Sequence, residues 1–420
     1  MFHYGKLIRD YRKRKHMTQK ELAIASNCSY SYISKIESGK IEPPKDLIVK
    51  ISEILEIKEL QDNYTTSPQL ADKLIEWHHT INEHRIFNAD KLFKELKPHF
   101  PLHHINLNTH YYINLFRHFL LRFDHAQAKL LLPRILDYTK TLYKQELYIC
   151  YKSLGYYFLL DNDIKKALHY LQLARNTEDV SINEPEIHIY FAIIHIYLNE
   201  PAHAENELME AKTYYETQVD PINHLLFKYL LTFPDILRHK HDKVVSSLEK
   251  ILSHSVYHSF QIKYELIYFT LGYIYIEEKQ FNKAISILRK AITKEKNPLF
   301  KVKYIYFLAI AYAYNGQKNE SLDYIQIGIG LKSNRKYQYW LYILKKIMSN
   351  KLCTEETSLY IHKNMLPYFT NTGDQPQINE CHLLLSIIYH KMNHYKRANS
   401  HLFNVVNGFQ LAELTEKYEV

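Results

Sequence analysis

The sequence predicts an all-α protein, a short N-terminal helical module followed by a long superhelix of paired helices. Three observations lead there. Only 9 glycines and 13 prolines occur in 420 residues, so few positions interrupt regular structure. Apolar residues recur three and four apart nearly throughout, the period of helices that bury one face. From about Leu70 onward the chain aligns with itself at intervals of 37 to 40 residues. A chain of this length exceeds one compact core, which fits a module joined to an array.

The first helix is predicted over residues 5–15, with Leu7, Ile8 and Tyr11 inward and Arg9, Arg12, Lys13 and Arg14 outward. Thr18 offers an N-cap oxygen and Glu21 follows three residues on, so a second helix begins at Gln19 and runs to about Ala25. After the break Ser26-Asn27-Cys28, Ser29 caps a third helix that packs Ile33 and Ile36 inward. Tyr30, Ser31, Ser34 and Lys35 are left facing out. Gly39 supplies a left-handed residue to end it, and Pro43-Pro44 separates it from a fourth helix over about 45–56. Two short helices joined by a three-residue turn, the second with a polar outer face, suit insertion into a DNA major groove. Charge agrees: residues 1–40 hold nine Lys/Arg against three acids, most of the chain's net charge of +9.

The stretch "MTQKELAIASNCSYSYISKIESGKIEPPKDLIVKISEILEI" resembles the repressor-type (Cro/C1-like, XRE) helix-turn-helix family. The Thr-Gln opening, Leu22-Ala23, Ile33-Ser34, Ile36-Glu37 and Gly39-Lys40 fall where that family has them, over about residues 4–60. The resemblance implies that Gln19 meets phosphate or a base edge and that Tyr30, Ser31, Ser34 and Lys35 face bases. Arg12, Arg14, Tyr32 and Lys40 are then assigned to the DNA backbone, which positions the module without specifying sequence. Glu37 is assigned to an internal cap or ion pair, since a carboxylate aimed at phosphate is repelled.

Within the repeat, "YKSLGYYFLLDNDIKKALHYLQLA" (151–174) matches "YFTLGYIYIEEKQFNKAISILRKA" (268–291) without a gap. Tyr151/Tyr268, Leu154/Leu271, Gly155/Gly272, Ala167/Ala284, Leu171/Leu288 and Ala174/Ala291 coincide, the tetratricopeptide pattern in which small residues let helices A and B approach. The small slot of helix A recurs at Trp77, Phe116, Gly155, Ala192, Thr232, Gly272, Ala309, Ile347 and Ser386. The helix B slot falls at Ala89, Ala128, Ala167, Ala204, Val244, Ala284, Ser321, Leu359 and Ala398. The prediction is a right-handed superhelix of about nine tetratricopeptide-like helical hairpins, helix A lining the inner wall. The register puts on that wall Arg117 and Leu120; Lys152, Tyr156 and Leu159; Ile189, Ile193 and Ile196; Tyr229, Phe233 and Ile236; Phe269, Tyr273 and Ile276; Tyr306 and Ile310. An apolar, aromatic wall that is basic at its N-terminal end suits an extended peptide with apolar side chains and an acidic group. The 37 tyrosines suit both such a groove and helix seams, because the ring is buried while the hydroxyl stays wet.

A repressor-type module followed directly by tetratricopeptide repeats resembles the peptide-sensing regulators of Gram-positive bacteria known as the RRNPP group (Rap, Rgg, NprR, PlcR, PrgX). Length and repeat count come closest to its NprR-like members. The resemblance implies a short signalling peptide, re-imported and bound in the superhelix, that alters oligomer state and operator binding in a homodimer or higher homo-oligomer. It also implies asparagines that clamp the peptide backbone, for which Asn82, Asn114, Asn199 and Asn315 are the candidates. The organisation expected is a DNA-binding domain over 1–60, a linker over 61–69 and the repeat domain over 70–420. The alternative is a Rap-like recruitment module acting on a response regulator, with DNA binding secondary.

An enzyme is not expected. The sequence holds no phosphate-cradling glycine loop, no Gly-x-Ser-x-Gly and no His-Glu-x-x-His, and "GIG" at 328–330 lacks a third glycine. No cofactor and no metal are expected: His78-His79 and His103-His104 are sequence neighbours that a helix splays apart, and His239/His241 lack cysteine partners. Cys28, Cys150, Cys353 and Cys381 have no paired spacing, which reads as reduced thiols in a cytoplasmic protein. No apolar run reaches membrane-spanning length.

Overall fold

A computed structural model describes residues 4–38, 40–41, 43–57, 68–100, 105–142, 144–177, 184–217, 221–253 and 264–406. Among these residues every regular element is helical. The chain divides into two compact units, Met1–Ser153 and Leu154–Val420.

The first unit opens with α1 (Tyr4–Arg14), α2 (Gln19–Ser26), α3 (Tyr30–Glu37) and α4 (Lys45–Leu55). The predicted capping box is formed: the Glu21 amide donates to Thr18 Oγ1 at 3.2 Å and the Thr18 amide to Glu21 Oε2 at 2.6 Å. Asn27 takes the left-handed turn at φ 61°, and Ser29 accepts from the Tyr32 amide at 3.1 Å to start α3. Ile8, Leu22, Ala23, Ile33, Ile36, Ile48, Ile51, Leu55 and Ile57 close a core of their own. Gly5 marks where α1 lies on α3, since an added Cβ would stand 1.8 Å from the Ile36 carbonyl oxygen. Gly39, the side chain of Leu7 and most of the 61–69 linker lie outside the described residues.

Helical hairpins follow. The first unit holds α5 (Pro68–Asn82) with α6 (Ile86–Leu96), α7 (Ile105–Leu121) with α8 (His125–Tyr138), and the start of α9 (Lys144–Leu160). In the second unit α9 pairs with α10 (Ile164–Arg175), α11 (Glu186–Tyr197) with α12 (Pro201–Thr217), and α13 (Pro221–Leu230) plus α14 (Phe233–Leu237) with α15 (His241–Ser253). Then α16 (Tyr264–Glu277) pairs with α17 (Phe281–Lys294) and α18 (Pro298–Tyr314) with α19 (Lys318–Gly330). Next, α20 (Arg335–Met348) faces α21 (Glu355–Tyr360), a π-turn (Ile361–Met365) and α22 (Leu366–Thr372), and α23 (Gln375–Lys391) pairs with α24 (Tyr395–Val406). Nine hairpins are thus present among the described residues, as the repeat predicts.

The small slots work as the pattern requires. A Cβ on Gly155 or Gly272 would meet Leu171 or Leu288 at 2.5 Å, so helices A and B approach as closely as glycine permits. Ala89, Ala128, Ala167, Ala204 and Ala284 are wholly buried beneath them. Two positions depart from the predicted register. Ile347 is 39% exposed and Leu359 51%, so neither is a packing slot; Thr357 and Ser358 are buried in their place. The π-turn at Ile361–Met365 carries one extra residue in that helix B and displaces its apolar stripe. In the fifth hairpin, helix A stops after Leu230 and restarts at Phe233, where Pro234 stands at its first turn.

The second unit folds back on itself. α10 lies against α22, and Gly373, at φ 70°, comes so near that an added Cβ would stand 2.9 Å from the Lys165 Cβ. The Asn162 and Asn334 side chains meet at 3.4 Å although 172 positions separate them. The Lys336 ammonium sits 5.4 Å from the centre of the Tyr197 ring, joining α20 to α11 across the interior. Helices several hairpins apart in sequence therefore share an enclosed inner face.

Candidate functional site

On α3 the side chains of Tyr30, Ser31 and Lys35 are exposed, and none has a side-chain partner among the described residues. Ser34 and Tyr32 are half-buried beside them, and Lys40 and Arg14 are exposed on the flanks. A polar, hydroxyl-rich helix face flanked by cations can bond base edges and phosphates together.

Arg12 is a correction. It is assigned above to DNA backbone, yet it is 8% exposed, its Nε donating to Glu37 Oε1 at 2.6 Å and its Nη2 to Glu37 Oε2 at 2.8 Å. Its remaining Nη1 donates to the Met17 carbonyl at 2.7 Å. Gln19 is drawn into the same knot, its Nε2 donating to Glu37 Oε2 at 2.7 Å. A carboxylate enclosed by the core must be paired, and Arg12 and Gln19 are the donors α1 and α2 bring to it. Glu37 is the internal ion pair that the sequence predicts.

In the first unit, Arg117 of α7 is 6% exposed and donates to Asn82 and, at 3.0 Å, to His78 Nδ1. Asn114 is 3% exposed and its amide donates to the Leu74 carbonyl at 3.0 Å, which ties α7 to α5. It serves packing rather than an open wall. Lys152 of α9 is 2% exposed. Burial, with Arg117 beside it, pushes His78 down to about 3, and burial pushes His118 down to about 4 against the pull of Asp90 at 3.4 Å. Unfolded histidine takes a proton near 6.5, so below that pH the unfolded chain binds more protons than the folded one. Stability held above pH 6.5 is therefore lost as pH falls towards 4, by up to ~1.4 kcal/mol per pH unit for each histidine. Protection of amides in α5 and α7, taken relative to their intrinsic exchange rate at each pH, is expected to fall between pH 7 and 5, and His118→Gln to flatten that dependence. An equal slope in the variant would refute the assignment.

In the second unit Tyr156 stacks on Tyr190 at 4.8 Å, and Tyr190 donates to Glu186 at 2.5 Å. Tyr229 is 7% exposed with its hydroxyl 2.8 Å from Thr270 Oγ1, and Phe233 packs edge-on against it at 5.1 Å. Tyr273 meets Phe307 at 5.6 Å and Tyr306 meets Tyr337 at 5.7 Å. The aromatic candidates thus form a series of ring pairs along successive A helices. Asn199 and Asn315 are not part of it. Asn199 is the exposed left-handed residue, φ 62°, of the turn between α11 and α12. Asn315 caps α18 and donates to Asn282 and Gln317 at 3.0 and 2.9 Å. Both belong to hairpin turns because asparagine tolerates the left-handed region and bonds locally.

The sequence reading passes over three interior residues. Lys336 bonds Asp374 at 2.7 Å with side-chain exposures of 8% and 2%, and Lys303 lies 4.3 Å from the centre of the Phe269 ring. No motif announces them, because each is one lysine or aspartate on an otherwise ordinary helix. Of the histidine pairs, His78 is bound to Arg117, His239 and His241 merely pack edge-on at 5.7 Å, and His103-His104 lie outside the described residues. All four cysteines are free thiols, and burial pushes Cys150 and Cys381 up to about 12.

Residues 8–61 match the helix-turn-helix family HTH_3. Over 389 residues the chain is 22% identical to the transcriptional activator NprA of Geobacillus stearothermophilus, covering 88% of this chain and 95% of that one. The chain is thus similar over most of its length to a transcriptional activator, and its N-terminal residues to a helix-turn-helix family. The HTH-type transcriptional regulator SlrR of Bacillus subtilis (strain 168) is 38% identical over 71 residues, 17% of this chain and 46% of that one. Two solved structures share the fold at a TM-score of 0.64. One is NprR in complex with its cognate peptide NprX, 14% identical and covering 80% of this chain and 98% of that one. The other is a Rap protein complexed with Competence and Sporulation Factor, 15% identical and covering 81% and 98%. The two curated relatives named here are both transcriptional regulators. Among the described residues no helix is long and apolar enough to cross a membrane.

Proposed function

We propose that this regulator binds an operator through α3 and a short signalling peptide inside its repeat array, the peptide altering how two helix-turn-helix modules are presented together. Residues 1–60 read DNA, 61–69 connect, and 70–420 bind peptide and assemble a cytoplasmic homodimer or larger oligomer. The observation that carries the DNA half is the outward face of Tyr30, Ser31 and Lys35, whose side chains are exposed and have no hydrogen-bond or ion-pair partner among the described residues. Lys35 with the hydroxyls reads bases, while Arg14, Tyr32 and Lys40 hold phosphates. The series of ring pairs from Tyr156 to Tyr306 supports the peptide half, as does the likeness to NprR and a Rap protein, each solved with a peptide. Arg117, Lys152 and Asn82 are the peptide-binding candidates of the first unit. A peptide can move the operator equilibrium only by its difference in affinity between two states of the array.

The test is a gel-shift selection of genomic fragments by the full-length protein, with and without heptapeptides from any short reading frame that genome sequencing finds directly downstream. Recovery of a fragment whose retention responds to peptide is expected. Lys35→Ala should cost ~1–3 kcal/mol of specific affinity and relax one base position, whereas Arg14→Ala should weaken all sequences alike and lower the salt slope by about one. Retention of no fragment under either condition would refute the reading; capture of a response regulator instead would favour recruitment.

A further inference from the structure

In the second unit two buried ammonium groups, those of Lys336 and Lys303, lie near one another, and the carboxylate of Asp374 is committed to the first. Lys336 and Asp374 are 2.7 Å apart and both side chains are more than nine-tenths buried. Lys303, on the preceding A helix, stands with its ammonium 4.3 Å from the centre of the Phe269 ring and within repelling range of Lys336. Among the described residues it has no hydrogen-bond or ion-pair partner. Tyr306, one turn on from Lys303, has its ring centre 5.7 Å from that of Tyr337. A cation over an aromatic ring, with a like charge nearby and no carboxylate of its own among the described residues, costs stability until an anion arrives. A carboxylate carried by an apolar chain satisfies both the charge and the rings.

We propose that Lys303 anchors a carboxylate of a short peptide lying along the A helices of this unit, with Lys336 remaining committed to Asp374. The proposal rests on the peptide reading above and names the group that the peptide must carry, either its C-terminus or an acidic side chain.

A pH signature follows. Burial, reinforced by Lys336, pushes the Lys303 ammonium down to about 8. The groups that act on it are Phe269 from α16 and Lys336 from α20, with Asp374 and Tyr197 beyond Lys336; Tyr306 follows on its own helix and Tyr337 is next to Lys336 in the chain. Burial raises Tyr306 and Tyr337 far above neutrality and Tyr197 up to about 12, so these phenols stay protonated. The charge change between pH 7 and 9 therefore falls on Lys303. A carboxylate needs its protonated form, so affinity holds below about 8 and falls about tenfold per pH unit above it.

The experiment passes two combinatorial heptapeptide libraries, alike except for a free or amidated C-terminus, over the immobilised full-length protein. Retained peptides are resynthesised with C-terminal amide, Asp→Asn or Glu→Gln changes and titrated at pH 7 and 9 against wild type, Lys303→Met and Lys303→Arg. Neutralising one carboxylate should weaken binding to wild type about tenfold or more. Lys303→Met should show that loss already and be indifferent to the neutralisation. Lys303→Arg should keep the carboxylate preference and lose the alkaline fall, which separates charge from folding; circular dichroism melting checks the fold of both. Which neutralisation acts tells the C-terminus from a side chain. Retained peptides that bind Lys303→Met as well as wild type, or as well when neutralised, would overturn the anchor while leaving peptide binding in place. Retention of nothing from either library would overturn the peptide reading, and the anchor with it.

Discussion

Glu37→Ala is expected to unfold the helix-turn-helix module within an otherwise folded chain. The substitution removes both oxygens from the Arg12 guanidinium and one from Gln19, at 2.6, 2.8 and 2.7 Å, in a site where the Arg12 and Glu37 side chains are 9% and 2% exposed. A guanidinium stays protonated at any ordinary pH even without a partner, so Arg12 cannot shed its charge when Glu37 goes. Leaving one charge of such a pair buried and unanswered costs about 3–5 kcal/mol. A module of this size has little more than that to lose. Hydrogen exchange over α1 to α4 should accelerate by about a hundredfold or more, with the repeats unchanged. The paired substitution Arg12→Met with Glu37→Leu, which removes both charges, should recover most of the protection. If Glu37→Ala left exchange in these helices unchanged, the pair would be a passive contact. The exposed pair between Lys15 and Glu56, at 2.8 Å, is expected to matter far less, since water already answers both charges.

Asp374→Ala is expected to loosen the closed second unit by a similar amount, about 3–5 kcal/mol, because it strands Lys336. Here the unanswered ammonium would also face Lys303, so two cations would share an interior with no carboxylate committed to either. The cost should appear where the unit folds back, as faster exchange in α10, α20 and α22, since Asp374 follows directly on the Gly373 contact with Lys165. Lys336→Met combined with Asp374→Leu should restore protection there. Loss of protection confined to α23, whose N-terminus Asp374 occupies, would show that the residue acts only as a local cap. That outcome is disfavoured because the Asp374 side chain makes no capping hydrogen bond.

The helix-turn-helix was legible because its signals are local. Thr18 with Glu21, the break at Ser26-Asn27-Cys28 and the Ser29 cap act within four residues, and the structure forms each of them. The exposed face of Tyr30, Ser31 and Lys35 followed from the same period. Arg12 was misread because α1 offers several cations on its polar side, and period alone does not say which one α3 will enclose. The eighth hairpin was misplaced for a related reason: the π-turn adds a residue that a fixed repeat interval does not anticipate. Asn199 and Asn315 were sought on a wall, while the turns between helices claimed them.

The sequence by itself determined the all-α class, the helix-turn-helix and the tandem hairpins, because caps, small slots and hydrophobic period act between residues a few positions to one hairpin apart. Only the tertiary structure decided which charges are buried and where the array meets itself. Arg12 finds Glu37 across 25 positions, Lys336 finds Asp374 across 38, and Asn162 meets Asn334 across 172. Each pairing is chosen by the packing of whole helices, and burial then turns an ordinary lysine such as Lys303 into a charge that seeks a partner.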